Sequence, residues 1–86
     1  MLTGKNLEIS LRFIETYRHL YALKKVSTKR DFCNEVGLYP QNFSLMEKGR
    51  IGCTLENMYN LASKFGVSIE WLVLNKGEMF NVGTAV

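Results

Sequence analysis

Residues 28–50 read TKRDFCNEVGLYPQNFSLMEKGR, and the order of their punctuation marks predicts two short helices joined by a tight turn. Thr28 is suited to cap the first helix. Asp31 lies three residues on, the capping-box spacing with Asp in place of the usual Glu. Phe32, Cys33 and Val36 form the buried edge of that helix, and Gly37 follows as a left-handed stop. Leu38 and Tyr39 make the turn. Pro40 falls in the first turn of the next helix, where its missing N–H would have had no helical partner. That helix is expected to run to about Lys48 and to end at Gly49.

Outward from this pair, the same periodic logic fills the chain. From Asn6 to about Lys25, Ile9, Phe13, Tyr17 and Leu20 fall at i, i+4, i+8 and i+11, with Ile14 and Tyr21 widening the stripe. This is the period of an amphipathic helix, and Arg12, Glu15, Arg18 and His19 fill its other side. After the loop 50–53, Thr54 caps a helix whose expected face is Leu55, Met58, Tyr59, Ala62 and Phe65, with Leu61 beside it. Gly66 closes that helix. Ser68 then caps a short last one carrying Ile69, Trp71, Leu72 and Val73. Phe13, Phe32, Phe43, Met46, Leu61 and Trp71 are the expected core. The result is a compact all-α chain of five helices with no strand.

Composition bounds the rest. Eighty-six residues allow one domain, and 47% apolar with 12% aromatic residues is enough for one core. No apolar run approaches the roughly 18–20 residues of a membrane span. The first ten residues lack a signal peptide's apolar stretch, so a cytoplasmic location is expected. Cys33 and Cys53 have no second Cys or His nearby to build a metal site, and both are read as free thiols. His19 has no nucleophile or ligand at useful spacing. With no phosphate-cradling glycine loop and no acid–base constellation, the expectation is no enzyme, no catalytic residue, no metal and no cofactor.

The third helix carries the functional signal. Phe43 and Met46 face the core. On another side Gln41, Ser44, Leu45 and Lys48 follow i, i+3, i+4, i+7, with Asn42 at the edge of that stripe. An amide, a hydroxyl and an aliphatic chain are groups that read base edges in the major groove. The segment from Lys24 to Arg50 has six basic residues (Lys24, Lys25, Lys29, Arg30, Lys48, Arg50) and three acidic ones (Asp31, Glu35, Glu47). Its net +3 equals that of the whole chain. Such a local excess suits phosphate contacts flanking an exposed helix. The expected base readers are Gln41, Asn42, Ser44 and Leu45, and the expected phosphate contacts are Lys29, Tyr39, Lys48 and Arg50. Lys24, Lys25 and Arg30 are read as solvated flank charges. Leu45 could equally be an ordinary exposed leucine, and Tyr39 a cover for the turn.

The stretch 28–50 resembles the Xre family, the Cro/lambda-repressor type of helix-turn-helix. Thr54-Leu55-Glu56 opens the fourth helix as that family does, and Gly66-Val67-Ser68-Ile69-Glu70-Trp71-Leu72 looks like its GVS-x-x-WL signature. The resemblance covers residues 9–78. It implies a five-helix lambda-repressor-like DNA-binding domain over 1–78, with the helix-turn-helix motif at 28–48, and a tail at 79–86 that is either a dimerisation segment or disordered. It further implies a sequence-specific transcriptional regulator of the phage or mobile-element repressor kind, binding double-stranded DNA at a palindromic operator as a homodimer. Half-sites would then lie about 34–36 Å apart. The expected dimer surface is the fifth helix and the tail, through Trp71, Val73, Met79, Phe80 and Val82. Three departures stand out: Lys29 replaces a glutamine that often braces the recognition helix, Tyr39 replaces the usual Ser/Thr cap, and Pro40 replaces a frequent glutamine. The alternative is a protein-interaction module, an antitoxin or anti-repressor, on the same fold.

Overall fold

Five helices lie among the described residues, 3–81, of the computed structural model: α1 (Gly4–Ala22), α2 (Lys29–Val36), α3 (Pro40–Glu47), α4 (Leu55–Phe65) and α5 (Ile69–Leu74). Phe32 of α2 is their meeting point. Its ring centroid stands 5.6 Å from Phe13 and 5.2 Å from Tyr17 of α1, 5.7 Å from Phe43 of α3 and 6.3 Å from Phe65 of α4. Edge-on, tilted and stacked ring pairs of this kind each add about 0.5–1.5 kcal/mol beyond the area they bury. Around them Ile14, Leu20, Val26, Cys33, Val36, Met46, Leu61, Val67 and Leu72 complete one buried cluster. Trp71 packs against that cluster but is only half-buried. α2 packs chiefly on α4, and α1 touches α3 and α5.

The helix ends follow the sequence signals with instructive exceptions. Thr28 Oγ1 accepts the Asp31 N–H at 3.1 Å, so α2 begins where its cap predicts. The capping box is only half formed there, because among the bonds of α2 none returns from the Asp31 side chain, which is exposed to water. At α4 it is complete: Thr54 Oγ1 accepts from Asn57 N–H at 3.1 Å, and Thr54 N–H donates to Asn57 Oδ1 at 3.0 Å. α1 stops at Ala22, short of the expected Lys25. Lys24 enters the left-handed region (φ 62°), and the Lys25 N–H turns back to the Leu20 carbonyl at 2.9 Å. α3 ends at Glu47, and the Arg50 N–H closes it on the Leu45 carbonyl at 3.0 Å.

Three expected faces are corrected. In α4 the buried positions are Asn57 and Leu61, with Met58 and Phe65 packed beside them, whereas Leu55 is 81% and Tyr59 69% exposed. The inward side chain of Asn57 sets that rotation, since it must reach α2. In α1 Tyr21 lies outside the core and rests against Tyr17, ring to ring at 6.1 Å. Ile69 of α5 is likewise exposed, leaving Leu72 as that helix's buried anchor.

No strand occurs among the described residues, but the chain after α5 turns back and makes one antiparallel bridge, Val67 to Phe80. The Ser68 N–H donates to the Met79 carbonyl and the Asn81 N–H to the Gly66 carbonyl, each at 2.8 Å. Phe80 packs on the core. Residues 79–81, expected in a tail that is either a dimerisation segment or disordered, are instead built onto the α4–α5 turn. Arg12 closes the other side: Nε donates to the Leu72 carbonyl at 2.7 Å and a terminal guanidinium nitrogen to the Val73 carbonyl at 3.2 Å. A cation on the last carbonyls of a helix satisfies orphan acceptors and complements the helix dipole.

Candidate nucleic-acid interface

α3 is held by its two core residues and by its neighbours at both ends. Phe43 and Met46 are buried, so the helix cannot roll. At its start, Gly37 (φ 73°) ends α2 and the Leu38 N–H bonds the Cys33 carbonyl at 2.9 Å, which aims the chain into Tyr39 and Pro40. A side chain at 37 would be strained in that left-handed conformation and would meet Asn60 Nδ2 at 3.2 Å. The turn is also tied from behind. Asn57 Nδ2 donates to the Val36 carbonyl at 2.9 Å and the Gly37 carbonyl at 3.2 Å. One buried amide therefore caps α4 with its oxygen and fixes the α2–α3 turn with its nitrogen.

With the core side taken, the outward stripe of α3 is Gln41, Ser44, Leu45 and Lys48, brought together by helical spacing. Gln41, Ser44 and Lys48 are exposed, and Leu45 and Asn42 are half-buried. Tyr39 is exposed at the N-cap and supplies no side-chain cap, unlike the hydroxyls that close α2, α4 and α5; Pro40 has no N–H to cap, and the Asn42 N–H bonds the Tyr39 carbonyl at 2.9 Å. Neither Lys48 nor Arg50 joins an ion pair among the described residues, and both are exposed.

Lys29 differs from these cations. Its ammonium lies between both carboxylate oxygens of Glu47, at 3.1 and 3.2 Å, and 5.8 Å from the centre of the Phe43 ring. It thereby ties the first residue of α2 to the last residue of α3. No family model, curated protein or solved structure matches this chain. The site therefore rests on its own geometry.

No cluster of metal-ligating side chains occurs among the described residues, and none of their helices is long and apolar enough to cross a membrane. Both cysteines are free. Burial pushes the Cys33 thiol above the ordinary range, Glu47 adds to the rise, and Lys29 pulls the other way. Cys53 is raised by burial too, with its own backbone and the Ser10 hydroxyl working against the rise. A raised pKa means less thiolate and a poorer nucleophile.

Of the expected contacts, Gln41, Asn42, Ser44, Leu45, Tyr39, Lys48 and Arg50 all belong to the stretch 39–50, on or beside α3. Lys29 joins them only through Glu47. The expected dimer residues Trp71, Val73, Met79 and Phe80 are half-buried in this same chain, Trp71 and Phe80 against its own core, and Val82 lies outside the described residues. Sequence reading missed Asn57 and Arg12. Thr54 followed three residues later by Asn57 is a capping-box spacing that could have exposed the first. Nothing local to Arg12 foretells its partner sixty residues away.

Proposed function

We propose that this chain is a sequence-specific DNA-binding transcriptional regulator of the Cro/lambda-repressor helix-turn-helix kind, with α3 as its recognition helix and a homodimer as its operator-bound form. One observation carries the reading. A short helix is clamped by Phe43, Met46 and the Asn57-tied turn, and it turns Gln41, Ser44 and Lys48 outward together, with the exposed Arg50 just beyond. Gln and Asn can bond adenine bidentately, Ser can serve either base, and Leu45 can meet a thymine methyl. Lys48, Arg50 and Tyr39 suit phosphates on either side. A rigid mount matters, since base-edge hydrogen bonds discriminate only when the donor is held in place.

The test is selection of bound sequences from a random duplex pool at two salt concentrations. Enrichment of a short palindrome, with affinity falling steeply as salt rises, is the expected result. Absence of enrichment, with weak binding at both salts, would replace this reading by a protein partner. On the selected site, Gln41→Ala is expected to cost on the order of 1–3 kcal/mol and to relax preference at one base pair. Lys48→Ala is expected to weaken specific and random DNA alike and to lower the salt slope by about one unit. Equal losses for both variants on both DNAs would remove Gln41 from the base readers.

A further inference from the structure

The pair between Lys29 and Glu47 is the one charge contact that joins the two helices of the candidate interface. Both oxygens of Glu47 hold the ammonium, at 3.1 and 3.2 Å, and the pair remains open to water: the Lys29 side chain is 54% exposed and that of Glu47 30%. Two further groups stand at this spot. Phe43 places its ring 5.8 Å from the ammonium, and the buried Cys33 thiol feels both charges. The ammonium has three donors, and two are directed at Glu47. A phosphate taking the third would sit against a carboxylate and be repelled by it.

We infer that Glu47 is an internal competitor for polyanions, which holds Lys29 away from phosphate and so limits the sequence-independent part of DNA affinity. This rests on the DNA-binding reading above. The consequence is selective. Phosphate contacts raise affinity for every sequence, whereas base contacts raise it for one. Muting one cation beside the recognition helix therefore leaves the base readers untouched and lowers the background, which widens the ratio of specific to random binding. Lys48 and Arg50, which have no carboxylate partner among the described residues, keep their phosphate contacts.

The experiment is a set of salt titrations on a random-sequence duplex, by fluorescence anisotropy, with the full chain as wild type, Glu47→Gln, Lys29→Met and the double variant. Removing the Glu47 charge is expected to tighten random-duplex binding roughly tenfold near 0.1 M salt, and to steepen the salt slope by about one unit, as one further displaced counterion requires. The gain must vanish when Lys29 is Met. Glu47→Ala, a second carboxylate-free variant, is expected to behave as Glu47→Gln, and the denaturation midpoint of each variant checks that it is folded. Unchanged or weaker binding by folded Glu47→Gln would overturn the proposal, as would the same gain in the Lys29→Met background. If no folded variant, Glu47→Gln included, shows salt-dependent binding to any duplex, the DNA-binding reading itself falls.

Discussion

The turn after α1 and the turn after α2 are closed by the same bond, Lys25 N–H to the Leu20 carbonyl and Leu38 N–H to the Cys33 carbonyl, each at 2.9 Å. Each needs one residue in the left-handed region. The second turn uses Gly37, but the first uses Lys24, for which that conformation is strained by roughly 1–2 kcal/mol. The second is also tied from behind by Asn57, while among the described residues no side-chain bond fixes the first. The turn that aims the candidate recognition helix is thus over-determined. The turn that merely connects α1 to it tolerates strain. Precision is concentrated at the turn that sets the direction of α3.

This contrast can be broken at four places. Asn57→Ala has the largest expected effect, a loss of about 2–4 kcal/mol, because the α4 cap disappears and two carbonyls lose a buried donor. Chemical denaturation measures it. Asn57→Asp sharpens the point: it keeps the Thr54 bond but turns a carboxylate toward the Val36 and Gly37 carbonyls, so it should destabilise about as much. Gly37→Ala follows, at about 1–2 kcal/mol for the left-handed backbone, with the contact to Asn60 added to it. A denaturation midpoint unchanged from wild type would show that the turn is not the rigid element described.

The acceptor at the base of each turn gives the third test. Leu20 cannot ionise, but Cys33 can, and its folded pKa is raised. The neutral thiol is favoured by folding, so its contribution to stability is complete below the ordinary thiol value and is lost as pH rises toward the folded one. Stability should decline through that alkaline window, by at most about 1.4 kcal/mol per pH unit for each buried thiol. Cys33→Ala should flatten the decline to the share of Cys53. A urea midpoint with the same pH profile in both proteins would contradict this. The smallest effect is a gain: Lys24→Gly should relieve the strain at the first turn, offset by glycine's greater freedom in the unfolded chain, for a net rise of about 0.5–1 kcal/mol. A loss of stability would mean that the Lys24 side chain makes contacts worth more than the strain.

The same two turns explain what the sequence discloses. Helices bounded by a hydroxyl and a glycine, such as α2 between Thr28 and Gly37, are marked by residues whose local chemistry has few other uses. The end of α1 is unmarked, because tertiary packing forces a lysine into a glycine's conformation. The α4 face was misread for a related reason. Hydrophobic periodicity assumes that apolar residues face in, and here a buried asparagine takes the inward position while Leu55 and Tyr59 face water. The stripe Gln41, Ser44, Leu45, Lys48 was legible because helical spacing alone assembles it. The Lys29–Glu47 pair and the Asn57 tie were not, since each depends on how one helix is set against another.

Arg12 bears on the order in which the molecule can be completed. It leaves the ribosome sixty residues before Leu72, the carbonyl it clasps. The Asn57 tie spans only twenty-one residues, back to Val36. Short loops close at lower entropic cost than long ones, so α2, α3 and α4 have the means to organise while the last helix is still being made. A growing chain can thus seat α1 on α2 and α3, through Phe13 and Tyr17, before Arg12 meets its carbonyls. The Arg12 clasp belongs to α5, which acts as a seal on a core already shaped by α1 to α4.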